Sequence, residues 1–111
     1  MALEISYADK KIRNICNNEA MAVRRLPPSV VKALMRRLTD INSATNIMDV
    51  PLGNPREISG DPPGEYRLDL VDGYFLMFCA VDLIMPINEK NKVDWKKVSR
   101  LKLLRIIKDD A

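Results

Sequence analysis

The chain has 111 residues, which suits one compact domain and leaves little room for a second. Hydrophobic residues make up 47% of it and charged residues 30%, a globular composition that excludes a disordered or fibrous protein. The net charge of +3 is unevenly spread: residues 1–39 and 90–111 each carry eight Lys or Arg against three Asp or Glu, whereas residues 40–89 carry two against nine, so both ends are basic.

The first predicted elements are a short strand and a helix. Residues 3–7 alternate apolar and polar side chains, which predicts a strand. From about Asp9 to Leu26 the apolar residues recur at helical spacing. We expect Asp9 to cap the start of this helix and Asn17-Asn18 to bend or interrupt it.

A second helix follows a proline turn. Pro27-Pro28 ends the first helix, because proline lacks the backbone N–H that a continuing helix needs. Ser29 is the expected N-cap of the next helix. The spacing predicts this helix over residues 29–42, with an apolar stripe formed by Val31, Leu34, Leu38 and Ile41. Two helices joined by a short turn form a helical hairpin.

The second half of the chain predicts β-structure. Residues 46–64 contain seven proline and glycine residues, which predicts an irregular segment. Residues 66–70 and 74–81 then form a hairpin around the Asp72-Gly73 turn. A polar excursion over 82–97 precedes a last strand from about Val98 to Ile107. The order β-α-α-β-β-β predicts an α+β fold in a single domain over 1–111, with a helical hairpin packed on one face of a mainly antiparallel sheet.

Four stretches of the sequence carry a family resemblance. They are Asp9-Lys10-Lys11 after the first strand, residues 41–55 after the second helix, the Gly60-Asp61-Pro62-Pro63-Gly64 segment with the strand that follows it, and residues 94–99 before the last strand. Their order and spacing resemble the RelE/ParE superfamily of bacterial toxins, and in particular its HigB-like "killer protein" branch. The resemblance spans nearly the whole chain and implies the RelE/ParE-like fold.

The resemblance implies a function as well. Such toxins belong to type II toxin–antitoxin systems and cleave mRNA, often on the ribosome, without a metal or cofactor. A cognate antitoxin neutralises them, and here we expect a small helix-turn-helix protein in that role. Basic side chains bind the scissile phosphate, and a general base helps the ribose 2′-hydroxyl attack it.

The sequence departs from the family at its cationic positions. Ser59, Pro62, Pro63 and Phe75 stand where the family has lysine or arginine, and Lys108-Asp109-Asp110 replaces its terminal Asp-Tyr-His. The chain has no histidine at all, which excludes Ser-His-Asp triads, Cys-His dyads and histidine metal sites. Three hypotheses therefore stand: an active endoribonuclease with a rearranged basic set, a catalytically degenerate toxin-fold protein that acts by protein binding, and a ParE-like gyrase inhibitor.

Arg56 and Arg67 are the only basic residues in the acidic middle of the chain. They are our candidate catalytic residues, as contacts to the scissile phosphate. The alternative is that each forms a surface ion pair, with Glu57 or Asp69, worth about 0–1 kcal/mol.

Basic residues elsewhere are candidate RNA contacts. Lys102, Arg105 and Lys108 lie on the last predicted strand. They either line the cleft in which such toxins bind RNA, or form a charged strand edge that resists aggregation. Arg36 and Arg37 belong to a basic patch on the helical hairpin. It either faces RNA phosphates or is ordinary solvated helix surface.

The sequence predicts a cytoplasmic protein without a membrane partner. No apolar run approaches the roughly 20 residues that a membrane span needs. The first residues show no basic region followed by an apolar stretch, so we expect no signal peptide. Cys16 and Cys79 lie far apart without metal-ligand spacing, which is typical of buried thiols in a reducing compartment.

Overall fold

The computed structural model describes residues 3–50, 56–57 and 65–108. In these ranges the chain forms three α-helices, one 3₁₀ turn and five strands, so the predicted α+β class is confirmed. The helices are α1 (Lys10–Asn17), α2 (Glu19–Val23) and α3 (Pro28–Ser43), and the 3₁₀ turn spans Ile47–Asp49. The strands are β1 (Glu4–Tyr7), β2 (Arg56–Glu57), β3 (Glu65–Asp69), β4 (Tyr74–Ala80) and β5 (Arg100–Lys108).

Two side-chain caps set the first helices. Asp9 caps α1 as predicted, because its carboxylate accepts a 2.9 Å hydrogen bond from the Ile12 amide. Asn18 is extended, with φ −139° and ψ 104°, and this residue divides the predicted first helix into α1 and α2. Its side chain then accepts a hydrogen bond from the Met21 amide and caps α2. The interruption expected at Asn17-Asn18 is thus confirmed.

The start of α3 differs from the prediction. The helix begins at Pro28, after Pro27 at the capping position, so the prediction that Ser29 is the N-cap is wrong. Proline suits the first helical turn because its fixed φ fits the helix and its missing N–H has no partner there to lose. Ser29 Oγ instead donates a 2.8 Å hydrogen bond to the Asp72 carboxylate and ties the helix to the hairpin turn.

The described strands form one sheet in the order β1-β5-β4-β3-β2. Strand β5 pairs in parallel with β1 and antiparallel with β4, and β3 pairs antiparallel with both β4 and β2. The last strand of the chain therefore lies between the first strand and the hairpin. The sheet is mixed but mainly antiparallel, as predicted.

The strand limits shift slightly from those predicted. Asp72 and Gly73 adopt positive φ values of 56° and 80°, which confirms the predicted hairpin turn. Strand β4 ends at Ala80 and β5 begins at Arg100. Next to these strand ends, the Asp82 carboxylate accepts hydrogen bonds from the Ser99 and Arg100 amides at 3.0 and 2.9 Å. The two-residue strand β2 lies in a segment predicted to be irregular, since two residues are too few for alternation to show.

The core lies between the helices and one face of the sheet. Its fully buried side chains include Leu34 and Ile41 from α3 and Leu76 and Phe78 from β4. Trp95, from the excursion, packs on Tyr66 at a ring-centroid distance of 4.3 Å. The indole Nε1 donates a 2.6 Å hydrogen bond to the Glu57 carboxylate, which satisfies the polar atom of a buried ring. The excursion thus closes one end of the core.

Another part of the excursion exposes apolar side chains, and we call residues 83–87 the apolar loop. Leu83 and Ile84 are each 89% exposed, and Ile87 is 57% exposed. Both ends of the loop are fixed, because Asp82 bonds to the start of β5 and Ile87 forms a β-bridge with Val93. The exposure of these side chains therefore belongs to a loop that is held at both ends.

We expect Leu34→Ala to lower the free energy of unfolding by about 2–5 kcal/mol, because it leaves a cavity in the core. Leu83→Ala makes the same chemical change at an exposed position and should alter stability by less than about 0.5 kcal/mol. Urea unfolding followed by circular dichroism measures both. Equal losses in the two variants would contradict the placement of the core.

Candidate nucleic-acid interface

The face of the sheet turned away from the helices, here called the open face, holds most of the predicted site residues. Successive side chains of a strand point to opposite faces. Along β4, Leu76 and Phe78 belong to the core beneath the helices. Phe75, Met77 and Cys79 therefore lie on the open face, together with their register partners on the neighbouring strands.

Register partners cross the open face in three rows. The central row contains three arginines and a methionine, in the order Arg56, Arg67, Met77 and Arg105. The row on one side contains Asp69, Phe75 and Ile107, and the row on the other contains Glu65, Cys79 and Lys102. The three arginines, which we call the arginine row, span about 14 Å at the usual strand spacing. A carboxylate lies on each side of them.

A β-bulge in β5 places Lys102 and Arg105 on the same face. In a regular strand, residues three apart point to opposite faces. Here Phe78 pairs with Leu103 and Met77 pairs with Arg105. Leu104 is therefore an extra residue in β5 that has no partner between Met77 and Phe78. The alternation shifts by one residue, and Arg105 joins Lys102 on the open face.

Asp69 binds two members of the arginine row. Arg56 donates to its carboxylate through Nη1 at 3.1 Å and Nη2 at 3.4 Å, and Arg67 donates through Nε at 3.0 Å. The alternative that each arginine forms an ion pair is therefore confirmed, with Asp69 as the shared partner. Arg56 and Arg67 lie directly opposite each other, where like charges repel. Asp69 offsets that repulsion.

The same contacts govern the charge of Asp69. Burial by itself raises the pKa of this carboxyl, but the hydrogen bonds and positive charges of Arg56 and Arg67 outweigh burial and hold the pKa below its usual value. Asp69 is therefore an anion at neutral pH and a weak base.

Apolar side chains form the floor of the open face. Phe75 and Met77 are 9% and 4% exposed and lie outside the core cluster beneath the helices. The guanidinium carbon of Arg67 lies 3.8 Å from the centroid of the Phe75 ring, within cation–π range. The resemblance predicts a cation at position 75. Phe75 stands there instead, and its ring supports the neighbouring Arg67 guanidinium.

A second ion pair lies at the other end of the arginine row. Arg105 Nη2 donates a 3.0 Å hydrogen bond to the carboxylate of Glu65, whose side chain is 19% exposed. Cys79 lies beside this pair: burial raises the pKa of its thiol, Lys102 lowers it and Glu65 raises it. These effects place Lys102 and Glu65 near the same sulfur. Cys79 is consequently protonated at neutral pH.

The other predicted RNA contacts lie elsewhere. Lys108 is the register partner of Tyr74, and its Nζ lies 5.8 Å from the Tyr74 ring centroid. Arg36 is exposed on α3. Arg37 links α3 to the sheet, because its Nε donates a 3.4 Å hydrogen bond to the Asp69 carbonyl. Its Nη1 is buried and has no hydrogen-bond partner among the described residues.

Acid–base groups are sparse on the open face. All three tyrosines lie in the described ranges, and the Tyr7 and Tyr66 hydroxyls donate to Asn17 and Met48 away from the arginine row. Tyr74 packs against the core on the helical side. Burial raises the pKa of Cys16 to about 12, so this thiol is not a nucleophile at neutral pH.

Two carboxylates thus complete the site as the structure describes it. Asp69 and Glu65 contact the arginine row, and neither was predicted from the sequence as a site residue. The signal that was available is the alternation of Glu65, Arg67 and Asp69 along one strand, which predicts that all three share a face.

Five residues at which the chain departs from the family pattern are not among those that the structure describes. Ser59, Pro62, Pro63, Asp109 and Asp110 lie outside the described residues. Among residues 3–50, 56–57 and 65–108, no group of three or more His, Cys, Asp or Glu side chains is arranged to hold a metal ion. None of the helices in those ranges has the length and apolarity that a membrane crossing requires.

No protein-family model matches the chain, and no curated protein matches it. The resemblance to the RelE/ParE toxins therefore stays a prediction, carried by the residues quoted above. The observations that bear on function are the arrangement of cations and carboxylates on the open face and the apolar loop.

We expect the stabilising effect of Asp69 to disappear in acid. Its pKa is lower in the folded protein than the value of about 3.9 for an unfolded chain, so its contribution is present above about pH 4 and is lost as the pH falls through the folded pKa. The wild-type protein should be more stable than Asp69→Asn by a constant amount between about pH 5 and 7, and by less below about pH 4. Urea titrations at several pH values test this, and a difference that widens in acid would refute it.

Proposed function

We propose that this chain is a RelE/ParE-like toxin of the HigB branch, the toxin component of a type II toxin–antitoxin pair, and that its open face binds and cleaves mRNA. The observation that carries the proposal is the arginine row, joined by Lys102, on an apolar floor. Guanidinium groups form paired hydrogen bonds to phosphate oxygens. A sheet face about 14 Å across with three of them suits a stretch of single-stranded RNA backbone.

The chemistry proposed for this face needs no metal. Arg67 and Arg105 lie on either side of Met77 in the central row, so they can contact one phosphodiester between them. Their charges stabilise the negative charge that develops on the phosphate oxygens during attack by the 2′-hydroxyl. We assign acceptance of the hydroxyl proton to Glu65, because its carboxylate lies 3.0 Å from Arg105 Nη2 at one end of the arginine row.

A second candidate function is protein binding without catalysis, as in a degenerate toxin that still binds its antitoxin. Two observations favour it. Each member of the arginine row is paired with a carboxylate, and the fixed apolar loop presents Leu83 and Ile84 to solvent. Exposed apolar side chains that are held in place are typical of protein contact sites. Exposed lysines at 90, 92, 96 and 97 follow the loop, so an acidic, apolar antitoxin segment would complement it.

For the nuclease function, we expect expression without antitoxin to arrest bacterial growth and fragment mRNA. The purified protein should cleave single-stranded RNA in the presence of EDTA. Arg105→Ala should lower the cleavage rate by about 100-fold, because it removes one charge-assisted donor to the transition state.

Arg13→Ala is the matched control for that experiment, since it removes an exposed arginine from α1 on the helical layer. Its cleavage rate should equal that of the wild type. Unchanged growth and intact mRNA under verified expression would reject the nuclease proposal. Inhibition of DNA supercoiling by the same preparation would instead support a gyrase inhibitor.

For the binding function, we expect co-purification with the product of the adjacent gene. Ile84→Asp should weaken that complex at least about tenfold, because it places a charge in an apolar contact. Val23→Asp is the control, since Val23 is a 49% exposed apolar residue on α2. Isothermal titration calorimetry measures both affinities. Equal affinities for the wild type and both variants would exclude the apolar loop from the contact.

A further inference from the structure

Asp69 and the arginines around it reproduce the geometry of a bound phosphate. The Arg56 guanidinium donates from both Nη1 and Nη2 to the two carboxylate oxygens, at 3.1 and 3.4 Å. Arg67 Nε, which lies on the same strand as Asp69, donates to one of the same oxygens at 3.0 Å. A planar fork of this kind binds carboxylate and phosphate oxygens alike.

We propose that the Asp69 carboxylate stands in for an RNA phosphate between Arg56 and Arg67, so that a phosphodiester binds there only by displacing it. The inference rests on the proposed function, because it concerns the ligand and the regulation of the same surface. Asp69 is an internal competitor: it keeps two closely spaced guanidinium groups ordered while the site is empty, and it lowers their affinity for anions.

The surroundings of Asp69 favour displacement over permanent burial. The side chains of Arg56 and Asp69 are each 38% exposed, so an incoming phosphate can reach the pair from solvent. Arg67 is held from below by the Phe75 ring at 3.8 Å, and this contact does not depend on Asp69. The Asp69 backbone is fixed by the Arg37 hydrogen bond and by pairing with Phe75, so the carboxylate can rotate away while the strand stays in place.

The effect of removing Asp69 follows from charge. Removal of the carboxylate takes away an anion that Arg56 and Arg67 share, so less of the repulsion between them across the strand pair is offset. An added anion then relieves that repulsion and stabilises the fold. The wild-type protein gains little from the same anion at this position, because Asp69 already provides the negative charge.

The test uses Asp69→Asn, which keeps the size of the side chain and removes its charge. Inorganic phosphate is the first probe. We expect 10 mM phosphate to raise the melting temperature of Asp69→Asn but not that of the wild type, with chloride at equal ionic strength as the reference. Adding Arg56→Ala to Asp69→Asn should abolish the gain. This readout does not depend on RNA cleavage.

A single-stranded RNA oligonucleotide is the second probe. Asp69→Asn should bind it about tenfold more tightly than the wild type, with a salt dependence steeper by about 0.7 in log–log slope, the value for one additional neutralised phosphate on a single strand. Asp40→Asn, on α3 in the helical layer, makes the same change in net charge and is the control. It should show neither effect.

The outcomes separate the two proposals. Phosphate stabilisation of Asp69→Asn without RNA cleavage by any form of the protein keeps the inference and rejects the nuclease function. Equal phosphate responses in Asp69→Asn, Asp40→Asn and the wild type overturn the inference, whether or not RNA is cleaved. Asp69→Ser, which also lacks the charge, provides the same comparison should Asp69→Asn fail to fold.

Discussion

The structure depends on the burial of strand β4 on both faces of the sheet. Leu76 and Phe78 fill the core beneath the helices, while Phe75 and Met77 are buried on the opposite face. A strand buried on both faces must be central, so it requires partners on both sides, which β3 and β5 supply. On the open face its side chain Met77 lies between Arg67 and Arg105 in the central row, and its Phe75 ring supports the Arg67 guanidinium. The core and the candidate site therefore lie on opposite faces of strand β4.

Much of the fold was readable from the sequence, because periodicity and turn residues act locally. The stripe of α3, the cap at Asp9 and the turn at Asp72-Gly73 all appear as predicted. The site was only partly readable. Arg56, Arg67, Lys102 and Arg105 do share a face, but the last two share it because of an extra residue at Leu104, which simple alternation does not reveal. Whether an arginine is paired depends on register between strands, and register cannot be read from one strand alone.

Part of the uneven charge of the sequence is offset by ion pairs in the folded protein. Glu65, from the acidic middle of the chain, forms an ion pair with Arg105 of the basic last strand. Asp69 pairs with Arg56 and Arg67 within the middle itself. A count of charges along the sequence therefore overstates the positive charge that is available to bind a phosphate. The ion pairs also explain why arginines can lie opposite each other on neighbouring strands, because Asp69 offsets the repulsion between Arg56 and Arg67.

Pairing of this kind favours a binding function, but it is also compatible with catalysis. An enzyme accelerates a reaction through contacts that strengthen in the transition state, not through contacts that already bind the ground state well. A phosphodiester carries one negative charge, and more charge develops on its oxygens as the 2′-hydroxyl attacks. In the proposed reaction, the carboxylates of Asp69 and Glu65 would compete with a singly charged phosphate for the arginines, and they would compete less well as that charge grows. In the proposed reaction, arginines balanced by carboxylates would thus bind RNA weakly at rest and stabilise the transition state selectively, and Glu65, which lies beside Arg105, would be close enough to accept the proton.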